Sequence, residues 1–200
     1  MKRIIFLSLL CFLSAVAMAQ TLEVKHSDYQ QLQLQFHSTT PNVHEVTLLG
    51  NTYTQLTLPD AISTLEPGAP ALPMVTRLVE VPLCEGFTYT VTDIVADTID
   101  GSLLGIQHPI LPAQPSRSKS DRTTPVLAKN QQLYATNAFT GSPLFAIEQV
   151  GVARSINLAN VKICPVQYNP VTGQLILVKH ALITITYQQP DAAATATMAQ

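Results

Sequence analysis

Cys164-Pro165-Val166-Gln167-Tyr168-Asn169-Pro170-Val171-Thr172-Gly173-Gln174-Leu175 joins two β-patterned runs through Asn-Pro and Thr-Gly. Asn and Gly tolerate left-handed backbone and Pro presets a turn φ, so the tract predicts a hairpin. Its return run closes with Ile183-Thr184-Ile185-Thr186-Tyr187, apolar on one face and threonine on the other. Alternation of period two is the pattern of a half-buried strand.

Outward from the hairpin the same pattern recurs. Leu32, Leu34 and Phe36 alternate with Gln33 and Gln35. Val43 to Leu49 and Thr52 to Leu58 flank Gly50-Asn51, a tight turn. Glu66-Pro67-Gly68-Ala69-Pro70-Ala71-Leu72-Pro73 reads as a rigid turn, because three prolines cannot sit in a central ladder. Val75 to Val81 is a strand ended by Pro82, and Phe87, Tyr89 and Val91 alternate with threonines. Ile99 to Ile106 adds a short run, and Leu144 to Val152 and Asn160 to Ile163 lead into the hairpin. Many short strands with Pro and Gly between them, and no long helix, predict an all-β chain. The expected fold is one antiparallel β-sandwich with jelly-roll-like connections over residues 20–188.

Lys2 and Arg3, the apolar stretch Ile4 to Val16 and the small-x-small site Ala17-Met18-Ala19 form a secretory leader over residues 1–19. Leu10 stands before Cys11 where a lipoprotein would have a small residue. The leader is too short to span a bilayer and no other run approaches the length required, so an exported chain without a membrane span is expected. Only 12% of residues are charged and the net charge is −2, which leaves no electrostatic footprint for nucleic acid. Residues 189–200, rich in Ala and Thr, read as a linker or tail.

The segment from Pro112 to Gln132 breaks the strand rhythm. It is polar, longer than most connections in compact domains, and holds Arg117, Lys119, Arg122 and Lys129 with only Asp121 opposing them. It reads either as a solvated flexible loop or as an exposed basic bait for an acidic pocket.

No active site is legible. Cys84 and Cys164 lack the setting of a nucleophile, and read as small buried hydrophobes or, in an exported chain, as a disulfide pair. His26, His37, His44, His108 and His180 have no ligand spacing, so no metal or cofactor is expected. Asp93, Asp97 and Asp100 read as turn caps at strand ends, with calcium there as the alternative. There is no G-x-S-x-G and no phosphate-binding glycine loop.

Four patches resemble the N-terminal propeptide of the gingipain-type cysteine peptidases, secreted enzymes of the Bacteroidetes. They are Gly68-Ala69-Pro70-Ala71-Leu72-Pro73, Val81-Pro82, Val150-Gly151-Val152-Ala153-Arg154 and Pro165-Val166-Gln167-Tyr168-Asn169-Pro170-Val171-Thr172-Gly173, in the family's order. The resemblance implies a non-catalytic β-sandwich that assists folding of a catalytic domain and holds it latent. It implies that catalytic domain as partner, in cis or in trans. The expected location is the periplasm, then the cell surface or the exterior, by the type IX route. In members with arginine-specific catalytic domains a pro-domain loop offers a basic residue to the specificity pocket; by position the counterpart falls among Arg117, Lys119 and Arg122. The chain is then either part of a longer precursor or a free-standing inhibitor. The rival reading is a cell-surface binding module for a glycan or protein; the chain has no Trp for a platform, leaving Tyr134 and Phe139 as exposed aromatics.

Overall fold

The computed structural model describes residues 21–198. The expected secretory leader, residues 1–19, lies outside them. Eleven strands run in chain order among the described residues: β1 (Leu22–Ser27), β2 (Gln31–His37), β3 (Asn42–Leu48), β4 (Asn51–Thr57), β5 (Ala61–Ser63), β6 (Pro73–Glu80), β7 (Gly86–Asp100), β8 (Phe145–Ala153), β9 (Ile156–Ile163), β10 (Val166–Tyr168) and β11 (Gln174–Gln188). Two short helices are α1 (Gln131–Ala135) and α2 (Ala192–Met198).

The long strand β11 organises the first sheet. It pairs with β7 along one edge, and with β10 and then β2 along the other; β1 closes that side. The second sheet has the order β5-β6-β9-β8, and β3-β4 stands apart as a hairpin. All strand pairings within these sheets are antiparallel. Leu32, Leu34 and Phe36 of β2 and Ala181, Ile183 and Ile185 of β11 form one buried cluster with Val75, Ala159, Val161 and Ile163 of the facing sheet. The fold is an all-β sandwich, as the alternation predicted.

The β10-β11 hairpin ties that core to a second one. Val166, Tyr168, Leu175 and Leu177 pack with Leu56, Leu72 and Ile110, while the far half of β11 serves the first cluster. Its turn is closed by Asn169, whose N–H donates to the Gln174 carbonyl at 2.8 Å and whose Oδ1 accepts from the N–H groups of Val171 and Thr172. An Asn side chain that imitates a backbone turn fixes the register without a glycine at every bend.

Three local readings are corrected. The run Ile99 to Ile106 is not a separate strand: β7 continues through Asp93 and Asp97 to Asp100, and a short 3-10 turn, Gly101–Leu104, follows. Asp93 sits in the left-handed region at φ 50°, where an irregularity in the β7-β11 register takes up extra chain; Asp97 pairs with Lys179. The hairpin turn expected at Gly50-Asn51 is one residue earlier. Leu48 pairs with Asn51, so Leu49 (φ 49°) and Gly50 (φ 80°) form a two-residue turn of left-handed residues, the kind that matches strand twist. The tail is not bare linker: alanines favour helix, Asp191 caps α2 by accepting from the Ala194 N–H at 2.8 Å, and Thr195 Oγ1 accepts from the Leu83 N–H at 2.9 Å.

Leu49 is half-exposed and gains nothing from its left-handed backbone. Leu49→Asn is therefore expected to stabilise the fold by about 1 kcal/mol, because Asn tolerates this conformation where Leu is strained. A urea-unfolding midpoint that rises with an unchanged slope is the expected readout.

Candidate functional site

The segment from Pro112 to Gln132 leaves the sandwich on a built base. Gly68, in the proline-rich turn, holds both feet: its N–H donates to the Ala113 carbonyl at 2.8 Å and its carbonyl accepts from the Asn130 N–H at 3.0 Å. The Ala113 N–H donates in turn to the Ala69 carbonyl, and the Ala71 N–H to the Leu111 carbonyl, both at 2.8 Å. Gly68 has φ 86°, and a Cβ there would lie 3.0 Å from the Asn130 nitrogen, so a glycine is required on two counts. The turn that the sequence marks as rigid is the loop's foundation.

Above the base, Gln114 staples the two arms. Its Nε2 donates to the carbonyls of Pro112 and Ala128 at 2.9 Å each, and its Oε1 accepts from the Ala128 N–H at 3.0 Å. Lys129 lies 4.6 Å from the Tyr134 ring centroid and 5.8 Å from that of Tyr53, which keeps one loop cation on the body of the domain. Tyr134, at the end of the segment on α1, donates its hydroxyl to the Ile110 carbonyl at 2.7 Å. Burial pushes its phenol well above the ordinary range, with the neighbouring tyrosines Tyr168 and Tyr53 adding to it. Tyr134 is thus engaged inward and is no platform; Phe139 is the more exposed, at 38%.

The structure separates the three bait candidates. Arg117 folds back: its guanidinium meets Asp121 Oδ2 at 3.0 Å and donates to both the carbonyl and the hydroxyl of Thr123. Asp121 Oδ1 accepts from the Thr123 N–H at 2.9 Å and from its hydroxyl at 2.7 Å. Those bonds, the backbone and side chain of Thr123 first and then Arg117, hold the Asp121 carboxyl below its ordinary range. Lys119 and Arg122 are exposed and have no ion-pair partner among the described residues. Arg117 reaches Asp121 and Thr123 through a bend that composition does not reveal.

Cys84 and Cys164 do not meet. At one end of β9 the Val81 N–H bonds the Asn157 carbonyl, and at the other the Cys164 N–H bonds that of Leu144. Seven residues of extended chain between Asn157 and Cys164 span roughly 23 Å at strand rise. A disulfide needs Cα atoms within about 7 Å, so the paired reading is corrected and both thiols are free. Burial pushes both thiols up, which leaves them protonated and poorly nucleophilic. Among the described residues no group of three or more His, Cys, Asp or Glu side chains is placed to hold a metal ion. The calcium alternative fails on geometry, since Asp93 and Asp100 lie seven strand residues apart and Asp100 caps the 3-10 turn.

Residues 19–199 match the Propeptide_C25 family model. The chain belongs to that family. Over 171 residues it is 30% identical to Lys-gingipain HG66 of Porphyromonas gingivalis and 29% identical to a second Lys-gingipain of that species. These alignments cover 85% of the chain and 10% of each relative, so the propeptide spans about a tenth of the length of the curated relatives it matches. A solved structure on the zymogenic latency of gingipain K from Porphyromonas gingivalis superposes with a TM-score of 0.78 at 27% identity, covering 87% of this chain and 96% of that one. The complex of Porphyromonas gingivalis RgpB pro- and mature domains superposes with a TM-score of 0.69 over 86% and 90% of the two chains; at 16% identity it shows the fold alone. The resemblance read in the hairpin and the proline-rich turn is met. The chain is propeptide, not catalytic domain. No helix among the described residues is long and apolar enough to cross a membrane.

Proposed function

We propose that this propeptide keeps a gingipain-type cysteine peptidase latent and assists its folding, with the basic loop entering the peptidase cleft as a substrate would. The observation that carries the reading is the likeness, over nearly the whole of both chains, to the structure on gingipain K latency. The loop supports it physically. The base, the Gln114 staple and the ring of bonds that Arg117 makes with Asp121 and Thr123 hold an exposed basic tip, and ordering the tip beforehand lowers the entropy lost on binding. A basic side chain on such a tip is suited to a pocket carboxylate, by a charge-assisted hydrogen bond. The secretory leader fits export before activation, through the periplasm and outward by the type IX route.

The test adds the leaderless chain to a gingipain-type catalytic domain and measures residual peptidase activity. Inhibition at micromolar concentration or below is expected, and its absence would sink the reading. Replacing Arg117, Lys119 and Arg122 together with Ala is expected to raise the inhibition constant at least tenfold, a loss of about 1.4 kcal/mol or more. An unchanged constant would remove the bait and leave the sandwich surface as the inhibitory contact.

A further inference from the structure

We propose that the cavity between the β1-β2 turn, the end of β6 and the tail helix binds a guanidinium group, and that the bound group holds α2 in place. The cavity measures 260 Å³, and Asp28, Tyr29, Glu80, Tyr187 and Thr195 are among its lining residues. It shares no residue with the basic loop. Pockets for drug-sized ligands hold about 300–1,000 Å³, so this one suits a single side chain or a molecule of that size.

Tyr187 is the residue that points to a ligand. It is only 4% exposed and its ring packs edge-on against Phe87 at 6.3 Å, yet its hydroxyl has no hydrogen-bond partner among the described residues. Buried phenols normally find one. No side-chain oxygen or nitrogen sealed from solvent lacks a partner among the described residues, so this hydroxyl opens into the cavity that the residue lines. Burial first, then Cys84 and Asp28, pushes the phenol up to about 12, so it stays a neutral hydroxyl with lone pairs to offer a donor.

The charge around that hydroxyl is of one sign. Asp28 and Glu80 line the cavity, and no Lys, Arg or His does. Glu80 has no ion-pair partner among the described residues. Asp28 Oδ2 meets His26 Nε2 at 2.8 Å, and its Oδ1 accepts from the Gln30 and Gln31 N–H groups at 2.7 and 2.8 Å. The His26 bond first, then the two backbone bonds, hold the Asp28 carboxyl below its ordinary range and keep it ionised. Two carboxylates are too few for a metal ion, and no third ligand joins them among the described residues. A guanidinium suits the site better than an ammonium does. Its five N–H donors reach separate acceptors at once, and its weakly hydrated faces tolerate the buried Val81 and Pro82 and stack on the half-exposed Tyr29.

Most of the wall is set before a ligand arrives. The Tyr187 N–H donates to the Gln30 carbonyl at 3.0 Å, tying the β1-β2 turn to β11. The Val81 N–H donates to the Asn157 carbonyl and Asn157 Nδ2 to the Pro82 carbonyl, both at 3.0 Å. The α2 wall rests on Leu83, through Thr195 Oγ1 and through the Asp191 N–H, which donates to the Leu83 carbonyl at 2.8 Å. A ligand that touches Thr195 and the fixed walls together binds the docked tail better than a released one, so occupancy favours docking.

Titration of the isotope-labelled leaderless chain with N-acetyl-arginine amide, followed by amide chemical shifts, tests this. Saturable shifts are expected at Tyr29, Glu80 and Tyr187, with a dissociation constant of about 1 mM or below. The uncharged isostere N-acetyl-citrulline amide should bind about tenfold more weakly or worse, and N-acetyl-lysine amide should fall between them. Glu80→Gln and Tyr187→Phe should each weaken the arginine probe by about fivefold or more with the circular dichroism unchanged. Tyr187→Phe is the sharper variant, because loose association with surface carboxylates would not register the loss of one buried hydroxyl. At saturation the Leu83 amide, which donates to Thr195, should exchange several-fold more slowly. Agmatine and a blocked arginine peptide carry the same group, and whichever binds tighter tells whether the site serves a free small molecule or an arginine on a polypeptide. No saturable shift at these residues, equal binding of the citrulline probe, or wild-type affinity in both variants overturns the site. Saturation with unchanged exchange at Leu83 overturns the hold on α2.

Discussion

Phe36→Ala is expected to lower the unfolding free energy by about 3–5 kcal/mol, the range for removing a fully buried aromatic ring. Phe36 has no exposed surface and sits in the middle strand of three, with Leu22 of β1 and Ala181 of β11 as its cross-strand partners. Ala181 is itself fully buried and too small to fill the space a lost ring would leave. Across the sandwich Val75, Ala159 and Val161 belong to the same cluster, on two strands whose register is fixed by β6-β9 pairing. Closing the cavity would mean sliding one sheet against the other, which the β10-β11 hairpin resists because it serves both core clusters. A domain of this kind holds about 5–15 kcal/mol in all, so the variant loses a large part of its stability. Urea unfolding followed by circular dichroism gives the value, and Phe36→Leu should cost under about 1.5 kcal/mol because most of the volume stays. A loss below about 1 kcal/mol for the alanine variant would mean that the two sheets do not share this core.

How much of this was legible depended on whether the signal lay within a few residues or across the fold. The alternation Leu32, Leu34, Phe36 and the Asn169 to Gly173 turn are local, and both stand where the sequence placed them. Asp93 and Asp97 misled because Asp is scarce in strands, which broke β7 into pieces on paper. In the fold a register irregularity accommodates Asp93, and Lys179 on β11 neutralises Asp97, a partner more than eighty residues away in sequence. The disulfide alternative for the cysteines fails for a related reason: an exported setting permits a disulfide, but only the β6-β9-β8 register shows that they sit at opposite ends of a strand. In the loop, charge composition marked a segment and could not show how its cations are held. Arg117 is held by a ring of side-chain bonds between residues 117 and 123, which no periodicity encodes.

Gly68→Val is expected to raise the inhibition constant more than tenfold while leaving the sandwich folded. The substitution acts twice on one backbone position. A β-branched residue at φ 86° is strained, by about 1–2 kcal/mol for left-handed backbone alone. Its Cβ would then stand 3.0 Å from the Asn130 nitrogen and 3.4 Å from the Lys129 carbonyl carbon, both backbone atoms that cannot rotate away. Relief requires moving residues 129–130, which are one foot of the loop, and the Gly68 N–H bond to Ala113 holds the other. The core cluster around Phe36 does not include this turn, so the circular dichroism of the sheets should persist and stability should fall by only about 1–3 kcal/mol. Gly50→Ala supplies the control: its φ is 80°, but a Cβ there meets nothing within 4 Å. It should carry the left-handed strain, lose on the order of 1 kcal/mol, and inhibit as the wild type does. If Gly68→Val inhibits within twofold of the wild type, the proline-rich turn is scaffold alone, and Gln114 with the Arg117 ring holds the loop in shape unaided.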